Sequence, residues 1–204
     1  FYIKNGEIYA NVKQALIDEK IISSEYFFNL LAGRIKYPDR VKAGRYKIKN
    51  GMSLYNLLRM LRSGNQSPVN LVITKLRTKE DLAQKIAANF ECDSASFMQQ
   101  LNNPKTWQQF QIDSNNILTS VIPNTYSIFW NSTANKILEK LHAASVKFWN
   151  EGRLSKARVL NLSPQQVYTM ASIVEEETNK QTDKGKIASV YINRMAIGMK
   201  LQAD

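Results

Sequence analysis

The chain has 204 residues and a mass of 23.3 kDa, which is long enough to bury a hydrophobic core without disulfides or metals. Hydrophobic residues make up 44% of it, and this excludes a disordered or collagen-like protein. A single cysteine, Cys92, and a single histidine, His142, exclude an intramolecular disulfide and the usual Cys/His zinc clusters. The sequence contains no run of about 18 apolar residues, so it predicts no membrane-spanning helix.

The formal net charge is +11, and most of the excess lies in residues 1–90, which hold 16 basic and 7 acidic residues. The densest basic run extends from Arg34 to Lys49. Such a surface attracts polyanions, including nucleic acids, anionic lipids and acidic cell-wall polymers. A solvated face that keeps the protein soluble is an equally good interpretation. Charge alone therefore names no partner.

The tetrapeptide Ile-Lys-Asn-Gly occurs at residues 3–6 and again at residues 48–51, 45 positions later. A repeat with a period of 45 residues predicts two related supersecondary units. Around the second copy, Tyr46 and Ile48 alternate with lysines, as in a half-buried strand. Ser53 can then cap a helix whose leucines recur with helical spacing up to Leu61. The predicted unit is a strand, a turn and a helix.

Further along the chain, residues 69–73 have the pattern of a strand and residues 135–149 that of a helix. Thr78 and Asp81 are spaced as a capping box that opens another helix. Residues 92–135 give weaker signals. The clearest helix is predicted over residues 163–178, because Ser163 can cap it, Pro164 suits its first position and Gln166 completes a capping box.

Three consecutive glutamates, Glu175, Glu176 and Glu177, end this predicted helix. At about 100° per residue, Glu176 falls roughly opposite the apolar stripe of the helix and is expected to be solvated. Glu175 and Glu177 fall at the two edges of the stripe, where a helix meets its neighbours. A carboxyl group that is half-desolvated at such an edge suits general acid catalysis. From composition alone, a solvated helix end is the plainer interpretation.

Longer motifs favour the catalytic interpretation. Residues 171–178 read A-S-I-V-E-E-E-T, and residues 187–204 contain A-S-V-Y-I-N-R followed by G-M-K-L-Q-A-D. This pattern resembles the signature of the YceG-like family, the endolytic murein transglycosylases. Residues 122–126 (I-P-N-T-Y) resemble the F-P-D-T-Y motif of the family, and residues 42–64 resemble its small LysM-like domain.

The resemblance implies an α+β chain of two parts. We expect a small LysM-like N-terminal region at residues 1–90 and a mostly helical catalytic domain at residues 91–204. The family sequence continues beyond the motif that ends at Asp204, so we expect this catalytic domain to be truncated at its C-terminal end.

The implied reaction is cleavage of the β-1,4 bond between N-acetylmuramic acid and N-acetylglucosamine in nascent glycan strands, which leaves 1,6-anhydro ends. One carboxyl group performs both proton transfers, and no metal or cofactor is required. Glu175 matches the catalytic glutamate of the family. The other six candidates are expected to bind substrate: Glu177, Asn193, Arg194, Thr125, Tyr126 and Gln202. Structural roles are equally good interpretations for two of them, since Glu177 can hydrogen-bond with Thr178 at the helix end and Arg194 can pair with Glu175 or Glu177. An aromatic cluster such as that of Tyr126 is more often part of a core.

The resemblance also implies partners and a location. The expected partners are peptidoglycan glycan strands and also cell-wall synthesis proteins. Binding of nucleic acid is not expected. An upstream single-pass helix outside this sequence is expected to anchor the protein in the bacterial cell membrane, with this part on the periplasmic side.

Two other functions compete with this one. A non-catalytic peptidoglycan-binding scaffold is favoured by two departures from the family pattern: Asn124 replaces an aspartate, and Leu118-Thr119 replaces a Glu-Gly pair. A nucleic-acid binder is suggested by the net charge, and Tyr37 and Tyr46 lie within the basic run, but no recognised nucleic-acid motif surrounds them.

Overall fold

The computed structural model describes residues 1–201, and over that range the chain is mostly helical, with two small sheets. The strands are β1 (Tyr2–Ile3), β2 (Gly44–Arg45), β3 (Val69–Ile73) and β4 (Asn124–Ile128). The helices are α1 (Tyr9–Asp18), α2 (Glu25–Arg34), α3 (Leu54–Ser63), α4 (Lys79–Asn89), α5 (Ser94–Leu101), α6 (Pro104–Phe110), α7 (Ala134–Phe148), α8 (Glu151–Val159), α9 (Pro164–Glu177) and α10 (Gln181–Ala196). The predicted α+β class is thus confirmed.

The two copies of the tetrapeptide end in the same kind of turn. Each ends in a glycine with positive φ (Gly6 at 81° and Gly51 at 77°), a conformation that glycine adopts without steric cost. A ten-residue helix follows each copy, and α1 and α3 are offset by the same 45 positions as the tetrapeptides. The predicted helix after Ser53 is confirmed, including its cap, because the Ser53 side chain accepts a hydrogen bond from the Asn56 backbone N–H.

The strand predicted around Tyr46 and Ile48 is only partly formed. Tyr46 is buried, Lys47 is exposed and Ile48 is half-buried, as the alternation predicts. The ladder itself covers only Gly44 and Arg45, which pair antiparallel with Ile3 and Tyr2. Tyr46 continues the pairing beyond this ladder, because its backbone N–H donates to the Phe1 carbonyl at 2.8 Å and its carbonyl accepts from the Phe1 amino group at 3.0 Å.

Two hydrophobic clusters fill the interior. The N-terminal cluster contains buried residues between Ile3 and Leu61. The second cluster contains buried residues between Leu71 and Leu141, from the β3–β4 sheet and the helices around it. The change from one cluster to the other therefore falls between residues 61 and 71, and residues 71–90 pack with the second cluster. The division into a LysM-like region and a catalytic domain at residue 90 stays a prediction.

Antiparallel pairing of β3 with β4 brings residue 73 beside residue 124. The segments that leave these strand ends, residues 74–78 after β3 and residues 121–123 before β4, therefore lie close together. Helix α9 packs beside them, because the Tyr168 hydroxyl donates to the Val121 carbonyl at 2.9 Å. This junction positions the site described below. No helix within residues 1–201 is long and apolar enough to cross a membrane.

Candidate active site

Helix α9 begins as its sequence predicts. The Ser163 hydroxyl accepts from the Gln166 backbone N–H, and the Gln166 side chain accepts from the Ser163 backbone N–H, which completes a capping box. Pro164 occupies the first helical position. The helix ends at Glu177, with Thr178 as its C-cap, so all three glutamates lie in its last turn.

A groove of about 950 Å³ runs along one side of α9. Tyr168, Ser172 and Glu175 of α9 line it, and Glu176 borders it at the end of the helix. The rest of the lining comes from the segments after β3 and before β4, from the end of α7 and from α8, and includes Lys75, Pro123, Phe148, Trp149, Arg153 and Lys156. The groove thus combines aromatic rings, basic side chains and two carboxylates, and we call it the Glu175 groove.

The Glu175 side chain lines this groove and is 57% exposed. Lys184 of α10 donates a hydrogen bond to Oε2 of Glu175 and forms an ion pair with it. The carboxylate is thus held through one oxygen at the wall of an open groove. A molecule bound in the groove can therefore reach this carboxylate.

Glu176 is exposed, as its helix position predicts, but it does not simply face solvent. Lys75 Nζ lies 2.7 Å from Oε1 of Glu176, and Arg77 Nη2 lies 3.0 Å from Oε2. The hydrogen bond from Lys75 is the main reason why the pKa of Glu176 lies below its ordinary value, and Arg77 acts in the same direction. Helical periodicity could not predict this arrangement, because both cations come from a segment about 100 residues away in sequence.

Glu177 does not line the Glu175 groove. It lies about 200° around the helix axis from Glu175, and its Oε1 accepts a hydrogen bond of 2.8 Å from the Tyr191 hydroxyl of α10. That hydrogen bond is the first cause of the raised pKa of Tyr191. The Arg194 guanidinium lies 5.9 Å from the centroid of the Tyr191 ring, within the range of a cation–π contact. The structure thus gathers Glu177 and Arg194 around Tyr191, apart from Glu175.

The remaining predicted site residues lie elsewhere. Asn193 is exposed on α10 and Thr125 is exposed on β4, and neither lines the Glu175 groove. Tyr126 is 3% exposed within the second cluster, and its hydroxyl donates to the Ile122 carbonyl. It therefore supports the groove wall at residues 122–123 from within the core. Gln202 lies outside the described residues. Substrate contacts by these residues stay predictions.

Sequence reasoning missed four polar contacts at α9: the one that Tyr168 of α9 makes with Val121, and those that the glutamates make with Lys75, Arg77 and Lys184. For the contact with Lys184, the sequence contained a usable signal. The connection between α9 and α10 is only three residues long, which is typical of helices that pack as antiparallel neighbours. An acidic last turn in the first helix then predicts a basic partner such as Lys184 early in the second. The other three contacts depend on long-range packing.

Three carboxylates at a helix C-terminus oppose the helix dipole. In the structure each has a partner: Lys184 for Glu175, the Lys75–Arg77 pair for Glu176 and Tyr191 for Glu177. These contacts offset the unfavourable placement. A second cavity, of about 600 Å³, lies beside α9 around Gln165, Thr169 and Ile173, and none of the three glutamates lines it. Within residues 1–201, no cluster of three or more His, Cys, Asp or Glu side chains could hold a metal ion.

The chain is similar to known proteins along its whole length. The family model of the YceG-like family matches residues 1–204. The chain is 24% identical over 217 residues to an endolytic murein transglycosylase of Bacillus subtilis, covering 99% of this chain and 60% of that protein. It is 25% identical over 228 residues to an endolytic murein transglycosylase of Streptococcus pneumoniae, covering 99% of this chain and 41% of that protein.

The chain therefore spans about half the length of the curated relatives it matches. Its fold resembles the crystal structure of a YceG-like protein from Listeria monocytogenes, with a TM-score of 0.59, 23% sequence identity, and coverage of 100% of this chain and 72% of that chain. Because the family model matches the sequence from end to end, this chain belongs to the YceG-like family.

Proposed function

We propose that this chain is the glycan-cleaving part of an endolytic peptidoglycan lytic transglycosylase, with Glu175 as its general acid and base. The observation that carries the proposal is the position of Glu175, on the wall of a large open groove and within the family-like A-S-I-V-E-E-E-T segment. The names of the two relatives support the reaction class.

The lining of the groove suits a glycan strand. Phe148 and Trp149 offer apolar ring surface of the kind that lines ligand sites, while Tyr168 and Ser172 offer hydroxyl groups. Arg153 and Lys156 can pair with the carboxylates of the peptides that peptidoglycan carries. An elongated groove that is open to solvent also fits a polymer cut within its length.

The reaction needs one carboxyl group. Glu175 gives its proton to the glycosidic oxygen while the bond between that oxygen and the anomeric carbon of N-acetylmuramic acid breaks. The 6-hydroxyl of the same sugar forms the new bond to the anomeric carbon and gives its proton to the Glu175 carboxylate. No water is consumed, and Glu175 returns to its protonated form. Because the attacking hydroxyl is tethered to the sugar, proximity lowers the barrier.

The arrangement of the neighbouring glutamates supports a mechanism with one carboxyl group. Glu176 is bound to two cations that favour its ionised form, and Glu177 lies outside the Glu175 groove. Most glycosidases instead place two carboxyl groups on either side of the bond that they cleave. Lys184 has a supporting role in this proposal, because it fixes the orientation of Glu175 through Oε2.

The wider proposal keeps the setting that the sequence implies. The substrate is the glycan strand of peptidoglycan outside the bacterial cytoplasm, reached from a membrane anchor upstream of this sequence. The LysM-like N-terminal region supplies basic surface towards anionic polymer, and Glu177, Asn193, Arg194, Thr125, Tyr126 and Gln202 supply further substrate contacts or the supports for them.

The test compares the full-length protein with its Glu175→Gln variant on purified uncross-linked glycan strands, with products identified by mass spectrometry. We expect 1,6-anhydro ends from the wild type and a rate about 10²–10⁴-fold lower from the variant, the usual contribution of general acid–base catalysis. Glu151→Gln is the matched control, because Glu151 is an exposed carboxylate on α8 that pairs with Arg158 and does not line the groove.

Two other outcomes would change the conclusion. Hydrolysed ends in place of anhydro ends would keep the substrate and overturn the mechanism. If wild type and Glu175→Gln bind the strands equally and neither cuts them, the protein is a peptidoglycan-binding scaffold.

A further inference from the structure

Glu176 connects two parts of the molecule that are distant in sequence. It lies in the last turn of α9, and its two carboxylate oxygens contact Lys75 at 2.7 Å and Arg77 at 3.0 Å. Both cations belong to residues 74–78, the segment between β3 and α4. One carboxylate that bridges two cations of the same short segment restrains that segment more than a single ion pair would.

The bridged segment forms a wall of the Glu175 groove. Thr74, Lys75 and Leu76 line the groove, and residues 74–78 belong to no helix or strand. The segment leaves β3 at residue 73, and its far end is fixed by Asp81 of α4, whose Oδ2 accepts hydrogen bonds from the backbone N–H groups of residues 77 and 78. Between these fixed ends, the contact with Glu176 restrains the segment against α9.

We propose that Glu176, Lys75 and Arg77 form a clamp that sets the position of the groove wall at residues 74–76 relative to Glu175. The proposal rests on the proposed function and makes Glu176 a positioning residue, which acts through Glu175 and contacts no substrate. Because Glu175 and Glu176 are consecutive, any movement of the last turn of α9 against the segment also moves the reacting carboxyl group.

Stability alone gives little reason for this arrangement. The Glu176, Lys75 and Arg77 side chains are 42%, 49% and 71% exposed, and ion pairs at such exposure contribute little to folding. Geometry at a reacting centre is more demanding, because a misplacement of about 1 Å can lower a rate about 10²-fold. The clamp therefore acts mainly on turnover.

The test uses the full-length protein on uncross-linked glycan strands and measures kcat and KM separately. We expect Glu176→Gln to lower kcat about tenfold while KM changes less than about twofold, because the groove keeps its binding groups but loses their alignment. Arg77→Gln breaks the clamp from the segment side and should lower kcat in the same direction. Thermal melting of each variant checks that it is folded.

Two further variants separate positioning from a general effect of charge. Lys75→Glu and Arg77→Glu combined with Glu176→Lys exchange all three charges, restore both ion pairs and should recover most of the lost kcat. Glu25→Gln removes a similar exposed ion pair, the one with Lys13 at 2.6 Å in the N-terminal region, and should leave kcat unchanged.

The outcomes distinguish this proposal from the proposed function. If the wild type cleaves the strands and Glu176→Gln cleaves them at the same kcat, the clamp is overturned and the function stands. If Glu176→Gln raises KM and leaves kcat unchanged, Glu176 acts in binding, and the positioning role is again overturned. If the wild type cleaves nothing, the proposed function fails and the role of the clamp in turnover fails with it.

Discussion

The N-terminal cluster and the pair of helices α9 and α10 are held together in different ways. In the N-terminal cluster, large side chains such as Phe28, Leu58 and Leu61 are completely buried. In α9 and α10 the buried residues are Met170, Val174 and Tyr191, each 5–6% exposed. Ion pairs and hydrogen bonds add to these buried residues and to half-buried apolar side chains such as Ile173 and Ile187. Burial of apolar area thus stabilises the first region, while polar contacts determine the shape of the second.

The polar contacts of α9 and α10 are suited to the wall of a binding groove. A wall that binds a polymer has to expose side chains, so it cannot be stabilised by burying them. Polar contacts such as Lys184 to Glu175 and Tyr191 to Glu177 hold these side chains in one orientation but add little to the stability of the fold. Substitutions in α9 and α10 should therefore change activity more than stability, and substitutions in the N-terminal cluster should do the reverse.

The largest expected effect tests this contrast directly. Leu58→Ala removes a fully buried side chain from the N-terminal cluster and should lower the free energy of unfolding by about 3–4 kcal/mol. Met170→Ala, at the edge of the packed face of α9, should cost about 2 kcal/mol, because its neighbours can close part of the space. Urea denaturation of both variants measures the difference. Equal losses would contradict the contrast and mean that α9 is packed as tightly as the N-terminal cluster.

The sequence predicted local structure equally well in both regions. The helix after Ser53 and the helix after Ser163 were predictable because caps, glycines and apolar spacing are local signals, and the structure confirms them. The tetrapeptide repeat likewise predicted two related units. Local signals are weak over residues 92–135, where α5, α6 and β4 are short and their burial depends on distant partners.

At the candidate site, sequence reasoning placed the three glutamates on one helix end with Glu175 and Glu177 on different sides. It could not predict that Lys75 pairs with Glu176, or that Tyr168 hydrogen-bonds to the segment before β4. Those contacts arise because β3 pairs with β4 and brings two loops to α9, and no local pattern records that pairing. The position of Tyr126 in the core follows from the same pairing.

The dependence of stability on pH tests burial in the N-terminal cluster, through the buried hydroxyl of Tyr46. Burial raises the pKa of Tyr46 from 10.0 to about 12, and its hydroxyl donates to the Lys42 carbonyl at 2.7 Å. The folded state therefore keeps this proton more strongly than the unfolded state. The associated stability is complete below pH 10 and is lost as pH rises from 10 through 12, on the order of 2 kcal/mol for this residue.

Tyr46→Phe removes that contribution. Its free energy of unfolding should fall less steeply than that of the wild type between pH 10 and 12, and urea denaturation at several pH values measures the two slopes. Because other tyrosines and lysines titrate in the same range, the difference between the two proteins is the quantity that matters. Parallel slopes would show that Tyr46 ionises equally easily in the folded and unfolded states.

The smallest expected effect on stability comes from the loss of a helix cap, and two matched caps allow a comparison. Ser53 caps α3 in the N-terminal cluster and Ser163 caps α9, and each side chain accepts from the backbone N–H three residues later. Replacing either serine by alanine should lower the free energy of unfolding by about 1 kcal/mol, because the same kind of hydrogen bond is lost.

Activity should separate the two serine variants. Ser163→Ala loosens the first turn of the helix that carries Glu175, so its kcat on glycan strands should fall, whereas Ser53→Ala should keep the wild-type kcat. Stability is measured by urea denaturation and kcat by release of glycan fragments. An equal fall of kcat in both variants would mean that turnover follows overall stability, because the loss of a distant cap would then disturb the groove as much as the loss of the cap on α9 itself.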